Sequence, residues 1–182
     1  MRSFFAVMAF LGCFASAALD AEESPYAGFE GREIKSLSQQ QIADYLDGKG
    51  MGLALPGELN GYPGPKHVLE LSEQLQLSES QYSEVVRVFE TMQAQAISLG
   101  EQIVAAEASL DGMFANGSID ADSLSASASG IGLLQGQLRA VHLQAHIDTR
   151  ELLTKHQVQQ YVQLRGYSDH GDTHKEHHGH DM

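Results

Sequence analysis

This chain has almost no cysteine, few basic side chains and no stretch of alternating apolar and polar residues. Its one cysteine among 182 residues, Cys13, stands inside an N-terminal apolar run. Past that run there is no thiol, which excludes a disulfide framework, a cysteine nucleophile and any thiolate metal site. Lysine and arginine number 11 against 24 aspartates and glutamates, for a formal charge of −13. So acidic a surface repels phosphate backbones and anionic lipid, which excludes nucleic acid and leaves cations, or basic surfaces on unfolded chains, as natural partners. Without period-two alternation, strands are not expected. The length suits one domain.

The long apolar run is "MRSFFAVMAFLGCFASA", Met1 to Ala17. Arg2, the apolar residues from Phe4 to Phe14 and the small-residue site Ala15-Ser16-Ala17 follow the layout of a secretory signal, too short to span a bilayer. Residues 1–17 are therefore expected to be a signal peptide. An alternative makes Cys13 a lipidated residue, but Phe10 is awkward in that recognition site. Either way the expected destination is outside the cytoplasm, in the periplasm. A polar leader, a short helix from Leu37 and a glycine- and proline-rich segment then fill residues 18–66. Between Gly48 and Pro65 that segment holds six glycines and three prolines, which rules out a continuous helix. Leu53, Leu55, Leu59 and Tyr62 are apolar enough to lay it on a core, so a docked loop is expected.

From His67 the pattern turns helical. Phe89, Met92, Ala96, Leu99, Ile103, Ala106, Leu110 and Met113 recur at alternating spacings of three and four, a heptad seam for lengthwise packing. Asn116-Gly117 breaks the chain. A second seam runs through Leu124, Ala128, Ile131, Leu134, Leu138, Val141, Ala145 and Leu152, with Asp148 as a polar intrusion. Together they predict an all-α fold: a long antiparallel helical hairpin with shorter flanking helices over 67–167. One long face of such a hairpin needs cover, which a homodimer would supply.

The pattern Leu-Ser/Thr-x-x-Gln occurs at Leu37–Gln41, Leu77–Gln81 and Leu153–Gln157. Each predicts a helix start. Ser38, Ser78 or Thr154 caps the N3 amide, the glutamine reaches back to the cap amide, and the leucine packs on Ile42, Tyr82 or Val158. Helix punctuation accounts for this chemistry, with no catalytic role. Two such boxes flanking a long hairpin, "LSESQ" and "LTKHQ", make residues 67 to 167 resemble the Spy/CpxP family of periplasmic proteins. The resemblance implies an all-helical fold, often a cradle-shaped dimer. It also implies an ATP-independent holdase, or an accessory of envelope stress, heavy-metal sensing or zinc resistance. The glycine-rich segment departs from the family's chaperones, which weakens transfer of chaperone activity more than transfer of fold.

Nine histidines carry the remaining chemistry. His142 and His146, four apart, share one helix face, a geometry that suits two ligands on a Zn, Cu or Ni ion. Their positions flank the seam, so they are expected to border the partner helix without being buried. Met92 falls opposite as a soft third ligand, with Glu84 or Glu90 as an oxygen ligand. The plain alternative is a pair of surface histidines. Leu143 stands where a zincin protease needs its glutamate, and neither a Ser/His/Asp constellation nor a Walker loop is present, so no enzyme is expected. The tail "SDHGDTHKEHHGHDM" holds His170, His174, His177, His178 and His180 among acids. With no apolar residue before Met182 it cannot pack, and residues 168–182 are expected to be a disordered metal-chelating tail. The composite expectation is periplasmic metal binding in heavy-metal resistance or sensing. Its rivals are a holdase for unfolded clients and a sensor docking on a membrane-bound signalling partner.

Overall fold

The computed structural model describes residues 24–167. Among them the fold is all-α, with no strand. A short 3-10 turn, Phe29–Gly31, precedes α1 (Gln39–Leu46), α2 (Leu55–Glu58), α3 (Pro65–Glu70), α4 (Glu79–Ala115), α5 (Ala121–Leu152) and α6 (Lys155–Leu164). No helix among the described residues is long and apolar enough to cross a membrane.

The hairpin is α4, 37 residues, against α5, 32 residues, each about 50 Å long at 1.5 Å per residue. Between them Gly117 takes φ +65°, and the Ser118 amide reaches back to the Met113 carbonyl at 3.0 Å. Glycine is favoured there because a Cβ would strain the left-handed backbone. Asp120 caps α5, accepting from the Ser123 amide at 2.8 Å. All three Leu-Ser/Thr-x-x-Gln boxes form as complete capping boxes, at Ser38, Ser78 and Thr154.

Two of the boxes are also joined. Gln81 Nε2 donates to Gln157 Oε1 at 2.9 Å, and Gln157 Nε2 donates back to Gln81 Oε1 at 3.1 Å. The spare donors go to the Leu152 and Leu75 carbonyls, at 2.8 and 3.2 Å. Punctuation was thus too small a role for these glutamines, which tie the starts of α4 and α6 to the end of α5. The first box stands apart, with exposed Gln41 bonded only to its own cap.

Apolar burial is concentrated at two places. At the open end of the hairpin, Val68, Leu75, Val85, Leu153 and Tyr161 form one cluster. Midway, Ala96, Ile103 and Leu138 form another, covered by Tyr45 and Leu53. Each fully buried side chain of this size contributes about 1.5–3 kcal/mol. The second cluster admits α1 because position 100 is glycine: a Cβ there would stand 2.1 Å from the Tyr45 carbonyl oxygen.

The seams differ from the expected ones in two respects. Along α5 the buried line is Ile131, Leu138, His142, Ala145 and Thr149. It passes one residue beyond Val141 and Asp148, and both of those stay half-buried in a side groove. Toward the tip, Leu124 and Ala128 of α5 are exposed, while on α4 Lys35 and Ser36 bond to Asp111 and Glu107. In the glycine-rich segment, Leu53 and Tyr62 are partly buried as expected, but Leu55 and Leu59 point outward at 52% and 58% exposure. Besides Pro63 and Pro65, the segment buries an acid, Glu58.

Candidate metal centre

Two polar side chains lie in the buried line of α5. Thr149 satisfies itself, its hydroxyl donating to the Ala145 carbonyl at 2.6 Å. His142 does not. It is 4% exposed, and its Nε2 is buried with no hydrogen-bond partner. Leaving such a group unpaired costs about 1–3 kcal/mol. Desolvation, with a smaller contribution from His146, holds its pKa below the usual histidine value. The ring is thus kept neutral, the form that has a lone pair to give.

This burial contradicts the expectation that both histidines merely border the seam. The cause is residues 48–65, which lie as a strap over α5. A Cβ built at Gly50 would meet His142, and one built at Gly57 would meet His146, at ordinary contact distance. Gly64 sits closer: a Cβ there would stand 2.9 Å from His146 Cε1 and 3.0 Å from its Nε2. Any other residue would have to push the ring aside. The strap is also bonded to α5. The Tyr62 carbonyl accepts from His146 Nδ1 at 2.7 Å, and the Arg150 guanidinium stacks over the Tyr62 ring at 4.1 Å. A carbonyl can only accept, so Nδ1 carries a proton, and in the neutral ring the lone pair lies on Nε2. Metal-bound histidines are oriented in just this way.

Glu58 pins the strap from the other side. Its Oε1 accepts from Tyr161 Oη at 2.6 Å and Tyr167 Oη at 3.0 Å, with Arg165 Nε at 3.4 Å. Its Oε2 accepts from the Gly64 amide at 3.2 Å and lies 3.7 Å from His146 Nδ1. Burial first, then the bond to Glu58, pushes the Tyr161 phenol far above its ordinary range, so it remains a donor. A buried carboxylate needs such partners to be tolerated. With its oxygens occupied, Glu58 serves as a clamp on the strap and is not free to be a metal ligand. Nothing in the seam patterns marked it. The available signal was a lone acid inside the otherwise uncharged run from Gly50 to Pro65.

Between strap and hairpin opens a cleft of about 480 Å³ whose walls include His142, His146, His67, Met92, Met51 and Tyr167. Met92 thus shares the space with both histidines, as the antiparallel register predicted. The two proposed oxygen ligands do not. Glu84 lies in a separate groove with Asp148 and pairs with Arg87, and Glu90 is exposed. Neither lines the cleft. Among the described residues, no three His, Cys, Asp or Glu side chains converge as a ligand set. His170, His174, His177, His178 and His180 lie outside the described residues, as do the signal segment and Cys13.

No protein-family model matches the chain, and no curated protein or solved structure shows significant similarity to it. The chemistry must be read from the residues. The pair fits a transition-metal ion in donor type: one neutral imidazole with an unpartnered nitrogen, and a second whose Nδ1 is bonded to the Tyr62 carbonyl. Imidazole nitrogen with a nearby thioether suits Zn, Cu or Ni, and no harder cation.

Proposed function

We propose that this chain is an exported metal-binding protein of the Spy/CpxP type, acting in resistance to, or sensing of, Zn, Cu or Ni in the cell envelope. One observation carries the reading: His142 is buried with an unpartnered ring nitrogen, one turn from a histidine whose tautomer the Tyr62 carbonyl fixes. The paired capping boxes on a long hairpin support placement beside the Spy/CpxP proteins. The −13 charge favours cations over anions as cargo.

Calorimetric titration with Zn, Cu and Ni at neutral pH tests the reading, comparing His142→Ala and His146→Ala with His156→Ala. His156 is exposed on α6, away from the cleft, and its loss should change little. Equal affinity in all four proteins would refute a site at the α5 pair.

A second reading, a holdase for unfolded clients, draws on the distal half of the hairpin. There Phe114, Leu124 and Leu133 are exposed at 56%, 41% and 64%. Suppression of client aggregation that ignores chelator, and that falls when Leu133 and Phe114 become serine, would favour it.

A further inference from the structure

A metal ion is chosen by the donors around it, and the cleft offers sulfur as well as nitrogen. Met92 on α4 and Met51 in the strap both line it, together with His142 and His146. The path of the strap brings Met51 there. A Cβ built at Gly48 would stand 3.2 Å from the carbonyl oxygen of Gln93, the neighbour of Met92 in sequence. One built at Gly50 would stand 3.7 Å from His142 Nδ1. The strap therefore crosses from α4 beside Met92 to α5 at His142, and Met51 is its next residue. Met51 has φ +44°, in the left-handed region that side chains rarely occupy. Its neighbour Gly52 takes that region freely, at φ +79°, whereas position 51 carries a thioether in spite of the backbone cost.

The hard donors of the cleft are already engaged. Among the described residues, its carboxylates are Asp47 and Glu58. Asp47 lies 3.5 Å from Lys49, and Glu58 is held by Tyr161, Tyr167 and the Gly64 amide. The donors that remain, two imidazoles and two thioethers, bring no negative charge. Lys49, Lys66 and Arg165 stand around the same space. The cost of desolvating an ion rises with the square of its charge, so neutral ligands beside cationic side chains favour a monovalent ion over a divalent one. Thioether sulfur is a soft donor, and the soft monovalent transition-metal ion is copper(I).

We infer that His142, His146, Met51 and Met92 form a copper(I) site, with the unpartnered His142 Nε2 and the two thioether sulfurs as the donors that select the ion. This rests on the metal-binding reading above and names its cargo. Zinc is held there by the imidazoles alone, and more weakly. Each methionine turns about several side-chain bonds, so its sulfur reaches the ion by a change of rotamer without moving the helix or the strap. Met51 is 39% exposed, which leaves the site open to an ion arriving from solvent.

The test measures affinity for copper(I) and for zinc separately, by anaerobic competition against a chromophoric copper(I) chelator and against a zinc indicator. The full chain is compared with Met51→Leu, Met92→Leu, His142→Ala and Met113→Leu, the last near the end of α4 and outside the cleft. Leucine keeps the volume of methionine and removes the sulfur. Each cleft methionine variant should weaken copper(I) binding by about 10–100-fold, the range seen when a metal site loses a supporting group, and leave zinc binding as it was. His142→Ala should weaken both metals, and Met113→Leu neither. Copper(I) affinity unchanged in both cleft methionine variants, or a zinc loss equal to the copper loss, would overturn the proposal, while loss of zinc in His142→Ala keeps the metal reading. Unchanged affinity of His142→Ala for both metals would overturn both. Should a variant fail to fold by circular dichroism, X-ray absorption at the copper edge of the full chain, loaded below saturation, decides. Sulfur neighbours of the copper are expected there, and a shell of nitrogen or oxygen alone would overturn the proposal.

Discussion

Gln81 and Gln157 stand 76 residues apart in sequence and exchange amide hydrogen bonds in both directions. Each also closes a capping box, so every hydrogen-bonding position of both side-chain amides is used. Their geometry explains why glutamine, and not glutamate, suits the last place of these two boxes. Glutamate could still accept from the cap amide, but it could neither donate to the Leu75 or Leu152 carbonyl nor face its partner without repulsion.

Gln157→Glu is accordingly expected to cost more than the loss of a cap alone, about 1–3 kcal/mol for the buried groups left unpaired. Gln41→Glu, in the exposed first box, should cost well under 1 kcal/mol. Urea denaturation of both variants checks this. In a double-mutant cycle, Gln81→Ala and Gln157→Ala should couple by at least about 0.5 kcal/mol. Strict additivity would mean that the two boxes act separately.

Two glycines in the long helices should respond in opposite directions to alanine. Nothing lies within 4 Å of a Cβ built at Gly132, so Gly132→Ala should stabilise by roughly 0.5–1 kcal/mol through helix propensity. At Gly100 the added carbon meets the Tyr45 backbone, so Gly100→Ala should dislodge α1 and lower the thermal midpoint. Limited proteolysis between Ser36 and Gly50 would report the released helix directly.

Removing the Tyr161 hydroxyl leaves Glu58 buried with one fewer donor. Tyr161→Phe should destabilise by about 1–3 kcal/mol and loosen the strap. Tyr167→Phe should do less, because its bond is longer and its side chain more exposed. Hydrogen exchange at the Gly64 amide is the sensitive readout, since that amide donates to the same carboxylate.

For the metal-free protein, acid should weaken the fold through His142. Its folded pKa is depressed by desolvation, and then by His146, below the unfolded value, which is about 6.5. Below that value the unfolded chain binds a proton that the folded chain refuses, so stability falls as pH drops from about 6.5 toward the depressed pKa and then levels off. His142→Gln should flatten this part of the profile. An identical slope in the variant would assign the pH dependence to other groups.

How much of this was legible in the sequence follows from what each pattern encodes. Heptad spacing reports which residues face a neighbouring helix, so α4, α5 and the turn at Gly117 could be read directly, and the three boxes marked helix starts. Spacing does not report what covers a helix from outside. The strap over His142 depends on contacts between residues 48–65 and α5, and its glycine at position 64 has meaning only beside the His146 ring. Two polar residues, His142 and Thr149, occupy the seam, so an apolar pattern drew the line one residue away. Likewise Glu58 is buried by Tyr161, Tyr167 and Arg165, about 100 residues further along. That distance is invisible to any local motif.

The central claim is that the α5 histidine pair binds a transition-metal ion. Histidine-selective nitrogen NMR of the full chain during zinc addition at neutral pH tests it most directly. The account predicts that ring-nitrogen resonances of both His142 and His146 shift together within the first equivalent, while His156 stays in place. Resonances of His142 and His146 that remain unmoved through saturation would contradict it.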